Sequence, residues 1–225
     1  MERITRTAMR EVDLLGRYPR VKRNIEAREA AVPSQRAIAR RFGREYFDGD
    51  RGQGYGGYRY DGRWVAIAEG MRDFYELKAG DRILDVGCAK GFLLHDFRRV
   101  VPGIVVAGLD ISSYAIEHSL ADVRALCVVG TADALPYPDA AFDLVISINT
   151  VHNLELGRCR EAIREIERVS RRFKYVQVDS YRTEEERRKF ERWQLTALTY
   201  FDPDGWRLLF RDAGYDGDYF WTITE

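Results

Sequence analysis

The stretch Arg82 to Gly91, RILDVGCAKG, constrains this chain more than any other. An apolar run ends in an acid and passes straight into small residues, the pattern of a strand, a tight turn and a helix start. Ile83, Leu84 and Val86 form the short continuous run of a strand buried on both faces. Gly87, Ala89 and Gly91 let a ligand approach the backbone closely, and Phe92 to Val101 then has helical spacing. Such a turn aims backbone N–H groups at a ligand. Asp85, two residues before the first glycine, sets an acceptor where phosphate would be repelled, so the pocket favours a cation or hydrogen-bond donors. A nicotinamide-binding G-x-G-x-x-G turn competes for the same pattern. It needs glycine at positions 89 and 92, where this chain has Ala89 and Phe92.

Downstream, strands and helices alternate. Pro102-Gly103 marks a turn, and Ile104 to Leu109 is a second apolar strand ending in Asp110, so β, α, β implies a parallel sheet with right-handed crossovers. Asp110 lies where doubly wound folds place an acid that accepts both ribose hydroxyls, two adjacent donors for two carboxylate oxygens. Ser112 or Ser113 caps a helix running to about Leu120. Leu126 to Val129 is the third strand. The fourth, Leu144 to Ile148, delivers Asn149, Thr150, His152 and Asn153 to the carboxyl edge of the sheet, where ligands bind. His152 alone of the three histidines is placed there, since His95 and His118 fall on crossover helices. An imidazole at that edge can take a proton from a substrate hydroxyl or amine, or cap a helix, or pack beneath the substrate.

Arg158 to Ser170 reads as an amphipathic helix, Tyr175 to Asp179 as a fifth strand and Thr183 to Trp193 as a charged helix. Asp202-Pro203 caps the last helix, which closes at Gly214. The remaining eleven residues, Tyr215 to Glu225, suffice for one strand. The expected fold is therefore a Rossmann-like, doubly wound, mostly parallel α/β sheet in three layers, with strand order 3-2-1-4-5-6. Any seventh strand must come from elsewhere in the chain or from another subunit.

Residues 63–225 are assigned to this domain, opening with a helix over Trp64 to Leu77. Residues 1–62 form a basic arm and a lid. Residues 1–44 hold twelve Lys or Arg against five Asp or Glu, with weak helical spacing at Ile38, Ala39 and Phe42. In residues 45–64 five glycines from Gly49 to Gly57 alternate with tyrosines. Glycine hinges the backbone and tyrosine supplies flat apolar area with a hydroxyl, a composition suited to closing over a small ligand. Tyr55, Tyr58, Tyr60 and Arg63 are the substrate-contacting candidates. Arg59, Arg63 and Arg182 hint at an anionic group on that substrate.

Over all 225 residues Lys plus Arg equals Asp plus Glu, 36 each, so the balance argues against nucleic acid or an anionic membrane as partner. Cys88, Cys127 and Cys159 are too widely spaced for a zinc pattern and odd in number for a disulfide framework, so no metal is expected and the thiols read as reduced. The first residues lack the apolar core of a signal peptide, and no window reaches the length of a membrane span. A cytoplasmic location follows as the expectation.

Three motifs in order carry a resemblance that spans roughly Trp64 to Gly214. Asp85 to Gly91 resembles motif I of the class I S-adenosylmethionine-dependent methyltransferases, with Ala89 in the middle glycine's slot. Asp110 occupies the ribose position. GTADALPYPDAAFD, from Gly130, resembles the G-D-A-x-x-L-P-F-x-D-x-x-F-D pattern of the family typified by ubiquinone and menaquinone biosynthesis enzymes. The resemblance implies S-adenosyl-L-methionine as cofactor, held by Asp85, Gly87, Cys88, Gly91, Asp110, Ile111, Thr131, Ala132 and Asn149. Thr131 stands where the family has an acid. Its hydroxyl is expected to take the adenine amine, the Ala132 N–H to read the ring nitrogen, and Asp133 to face solvent. Methyl transfer from a sulfonium is a direct displacement, so alignment does much of the work and His152 is the candidate base. A small-molecule acceptor methylated on O or N is expected, and a homo-oligomer is compatible with the sequence. A catalytically silent interaction module of the same fold, or an RNA methyltransferase using the basic arm, are the alternatives.

Overall fold

Side chains along the central strands point alternately into two apolar cores, and that period of two builds a sheet covered on both faces. The strands are β1 (Arg10–Glu11), β2 (Arg82–Val86), β3 (Val105–Asp110), β4 (Cys127–Val129), β5 (Phe142–Ile148), β6 (Ser170–Ser180) and β7 (Asp218–Ile223). Every pairing is parallel, in the order β4-β3-β2-β5-β6-β7-β1. This computed structural model describes residues 9–19 and 33–224. The parts of the predicted arm at residues 1–8 and 20–32 lie outside the described residues.

Among the described residues the helices are α1 (Pro33–Ala39), α2 (Arg44–Asp48), α3 (Val65–Tyr75), α4 (Phe92–Val100), α5 (Ser113–Glu117), α6 (Ala121–Arg124), α7 (Leu156–Val169), α8 (Glu184–Trp193) and α9 (Pro203–Ala213). Ile83, Val106, Leu144 and Ile146 face Met71 of α3 and Phe97 of α4. Leu84, Val86, Val145 and Val176 face Ile163 of α7 and Trp206 and Phe210 of α9. Each such buried side chain contributes about 1.5–3 kcal/mol. Local chemistry sets the helix ends: Ser112, Thr183 and Asp202 side chains accept from the N–H of Ala115, Glu186 and Gly205, and Gly214 closes α9 in the left-handed conformation. The predicted helix to Leu120 breaks after Glu117 instead. There the Ser119 hydroxyl donates to the Ala115 and Ile116 carbonyls.

The six domain strands keep the predicted order, and the full order differs from it at one edge. A seventh strand, β1, pairs with β7 in the register Arg10 to Asp218 and Glu11 to Tyr219. It comes from the arm of the same chain. Two residues pair weakly, and side chains hold them: Arg10 donates to both oxygens of the buried Asp218 at 2.7 and 2.9 Å, and Tyr75 donates to the same carboxylate at 3.0 Å. Arg207 also donates to Glu11 at 2.8 Å.

From β2 the chain winds outward through β3 and β4, then returns to β5 and winds the other way. The crevice beyond the carboxyl ends of β2 and β5 is thus the switch point, where the loops after neighbouring strands diverge.

Candidate functional site

The turn after β2 is held by its own backbone. Gly87 and Cys88 N–H donate to the Leu109 carbonyl at 2.7 and 3.1 Å, Gly91 N–H to the Cys88 carbonyl at 2.8 Å, and Ala89 N–H to Asp110 Oδ2 at 2.8 Å. The turn does not, as predicted, offer these N–H groups to a ligand. It makes a floor. Gly87 has φ of 87°, and a Cβ there would lie 2.0 Å from the Thr150 hydroxyl oxygen, so no other residue fits. Ala89, in the middle slot, adopts φ of 48°, a strained conformation for a residue with a Cβ.

Asp110 ends β3 with 8 % of its surface exposed, and Ser112 N–H donates to its Oδ1 at 2.8 Å. Each carboxylate oxygen therefore holds one backbone donor and keeps lone pairs toward the cavity. Burial raises its pKa, and the two amides pull it back. Asp85 lies deeper. Burial, then the charge of Asp110, pushes it up to about 7, and among the described residues no hydrogen bond to its carboxylate offsets this. A buried carboxyl without a partner is costly, and a cationic ligand group relieves it. The Cys88 thiol is free and lies against that of Cys127: the hydrogen bond between them and burial raise it well above its ordinary pKa, and Cys88 does not line the cavity. Gly91 packs likewise against Val123, away from the crevice.

At the end of β4 the sequence expectation changes. Asp133 does not face solvent. Arg158 of α7 grips it through two bonds of 2.6 and 3.0 Å, and that guanidinium holds its carboxyl below the usual range. The Thr131 hydroxyl bonds to Asp133 and accepts from Arg158 at 3.1 Å. Both remain beside Ala132 and the exposed Ile111.

Beyond β5, Asn149 turns the chain with φ of 53°, and its side chain accepts from Thr222 at 2.9 Å. His152 sits three residues on, in a 3-10 turn (Val151–Asn153), and is 3 % exposed. Its Nδ1 accepts from the Asp179 N–H at 3.0 Å, which leaves the proton on Nε2, 3.5 Å from Asp179 Oδ2. Its carbonyl accepts from Leu198 and Thr199 N–H. Burial lowers its pKa, partly countered by Asp179. The expected base is therefore a buried joint, its one free lone pair engaged, outside the cavity.

The Gly/Tyr segment is docked. Asp48 accepts from Lys90 of the β2 turn at 2.8 and 2.6 Å, from the Tyr114 hydroxyl at 2.7 Å and from the Tyr58 N–H at 3.1 Å. Burial would raise Asp48, but Lys90 and Tyr114 outweigh it and hold it low. Tyr58 stacks on Phe92 with ring centres 4.7 Å apart, and Tyr60 donates to Asp96 at 2.6 Å. Gly54 is required, because a Cβ would lie 1.9 Å from the Tyr46 carbonyl.

Together these elements enclose a cavity of about 400 Å³ at the carboxyl edge of the sheet. Gly87, Asp110, Ile111, Thr131, Ala132, Asn149 and Tyr55 line it, as do Arg40, Phe42, Tyr46, Phe47, Asn153, Glu155, Arg158 and Leu198. Tyr58 and Tyr60 support the wall from behind. Arg63 is engaged with Asp61 and Tyr18, and Arg182 lines a second depression beside Arg207.

Residues 84–176, from the middle of β2 into β6, match the model of the family described as "Methyltransferase domain". The chain carries a class I S-adenosylmethionine-dependent methyltransferase domain. It is 38% identical over 97 residues to 27-O-demethylrifamycin SV methyltransferase of Amycolatopsis mediterranei, covering 39% of this chain and 35% of that protein. It is 31% identical over 119 residues to the uncharacterized methyltransferase YcgJ of Bacillus subtilis, covering 49% and 45%; the YcgJ crystal structure superposes with a TM-score of 0.54 at 20% identity over 65% and 66% of the chains. A chain from the complex between the Haloferax volcanii Trm112 methyltransferase activator and a methyltransferase superposes with a TM-score of 0.51 at 25% identity, covering 67% and 74%. The chain thus spans less than half the length of these two curated relatives.

Methyltransferases of this fold use S-adenosylmethionine, and the cavity fits that molecule. Asp110 offers acceptors for two ribose hydroxyls and Ile111 an apolar face for a base; Asp85, predicted to contact the cofactor, is not among the lining residues and sits buried behind the turn. Sequence reasoning missed Asp48, Lys90 and Phe42, and counted Tyr46 and Phe47 among the lid aromatics without naming them as substrate contacts. The aromatic spacing in residues 42–58 was the available signal, but nothing local pairs Asp48 with a lysine in the β2 turn.

Proposed function

We propose that this chain transfers the methyl group of S-adenosyl-L-methionine to a small-molecule acceptor, on oxygen or nitrogen rather than carbon. The observation that carries the reading is the roofed cavity of about 400 Å³ over Asp110 and the β2 turn. A cavity of that size is in the range of small-molecule sites, and in this reading the cofactor lies over Asp110 and the acceptor beyond Asn149. Aromatic rings from the arm form the roof, and Leu198 and Leu154 the far wall, so the acceptor has apolar, flat surface to bury.

When bound, the cofactor supplies an electrophilic methyl on a sulfonium. The protein's part is alignment and exclusion of water. Asp110 fixes the ribose, Thr131 and the Ala132 N–H read the base, and the Asn149 to Asn153 segment sets the direction from which the acceptor approaches. His152 does not carry the proton in this reading: its Nδ1 lone pair is engaged, and it instead positions residues 198–199 at the acceptor end. An acceptor that is already nucleophilic near neutral pH suits such a site. No helix among the described residues is long and apolar enough to cross a membrane.

The test is transfer of a labelled methyl group from S-adenosyl-L-methionine to panels of phenols and amines, with total RNA alongside. Label in small molecules is expected. Label in RNA alone would favour the RNA reading, and cofactor binding without any transfer a silent module.

A further inference from the structure

The reading above leaves one charged group of the cofactor without a partner. The amino-acid end of a sulfonium nucleoside carries an ammonium and a carboxylate. Asp85 and Asp110 suit cations and hydroxyls and repel a carboxylate. Here the N–H groups of Gly87, Cys88, Ala89 and Gly91 are all bonded within the protein. Lys90 is engaged by Asp48, and Arg158 by Asp133. Among the cationic side chains that line the cavity, Arg40 remains: it is exposed and makes no ion pair among the described residues.

Arg40 lines the same cavity as Gly87, Ala89 and Asp110, and the arm that carries it is docked on both sides of the β2 turn. Two residues on, the Phe42 carbonyl accepts from the Ser112 hydroxyl, at the helix that follows Asp110. Eight residues on, Asp48 is tied to Lys90 in the β2 turn. Ser112 and Lys90 flank Asp110 and the β2 turn in the chain, so both fastenings hold the arm against the elements assigned to the cofactor.

From this we infer that Arg40 is the carboxylate-binding residue of the site, so that the arm supplies part of the cofactor pocket as well as its roof. A guanidinium presents paired N–H donors that match a carboxylate. The inference rests on the cofactor reading, and the test separates the two.

Titration calorimetry on the full chain compares S-adenosylhomocysteine, which carries the carboxylate, with 5′-methylthioadenosine, which lacks the whole amino-acid end. Arg40→Ala should weaken S-adenosylhomocysteine about tenfold or more, the usual scale for a hydrogen bond to a charged group, and leave 5′-methylthioadenosine unchanged. Arg40→Lys should recover part of the loss. Equal loss for both ligands would mean the arm has undocked, and no loss for either would mean the carboxylate is held elsewhere; each overturns the inference. Retained S-adenosylhomocysteine affinity with lost turnover would move Arg40 to the acceptor and overturns it too. A wild-type chain that binds neither ligand removes the cofactor reading itself.

Discussion

Asp85 and Asp110 show how one carboxylate can be stabilised and its neighbour left exposed to its own charge. Asp110 is fixed by two amides, so Asp110→Ala should abolish cofactor binding and also lower stability by about 1–3 kcal/mol, since Ala89 and Ser112 lose their acceptor. Denaturant titration beside calorimetry checks both. Asp85 behaves oppositely. Its pKa is raised from 3.8 to about 7, so between those values the native state holds a proton that the unfolded chain has released, and stability falls as pH rises through that window. Asp85→Asn should therefore be more stable than wild type at pH 8, by on the order of 3 kcal/mol, with the gain vanishing near pH 4, and should bind S-adenosylmethionine more weakly. A variant less stable at pH 8 would show that the charge is already compensated. His152, with its lowered pKa, contributes stability above about 6.5 that is lost as pH falls. His152→Ala should lower the melting temperature by removing the acceptor of the Asp179 N–H. A general base would instead flatten the acidic limb of the pH–rate profile at unchanged stability.

At the scale of elements, local chemistry made much of the fold legible. The strand–turn–helix at residues 82–101, the caps at Ser112, Thr183 and Asp202, and the stop at Gly214 are each decided within a few residues, and each appears where the sequence placed it. What escaped is joined over long distances. Lys90 reaches Asp48 across 42 positions, and the Cys88 thiol turns toward Cys127 because β4 lies beneath the turn. The supposed lid is held closed by the first of these contacts. Asp48→Ala leaves Lys90, only 8 % exposed, as a buried unpaired charge, a loss of about 3 kcal/mol. The expected result is faster proteolysis at Arg51 and Arg59, with cleavage slowed again by S-adenosylhomocysteine. Unchanged cleavage would mean that the aromatic stack, rather than the ion pair, holds the arm.

At the scale of the whole molecule, the arm completes one edge of the sheet. The strand beside β7 is supplied by residues 10–11, more than 200 positions before it, a pairing no periodicity announces. Deleting residues 1–12 uncovers β7 and strips Asp218 of Arg10, so the truncated chain should melt lower and associate through the bare edge, measurable by light scattering. The same arm roofs the cavity, which couples the integrity of the sheet to the shape of the site. The central claim is that this cavity binds an adenosyl sulfonium cofactor through Asp110, and thermal unfolding of the full chain with S-adenosylhomocysteine or NADH tests it most directly. At 100 times its dissociation constant, S-adenosylhomocysteine should stabilise the chain by about 2.7 kcal/mol, a rise of roughly 5–10 °C, absent with NADH and absent in Asp110→Ala. No shift with S-adenosylhomocysteine, or an equal shift with NADH, would contradict it.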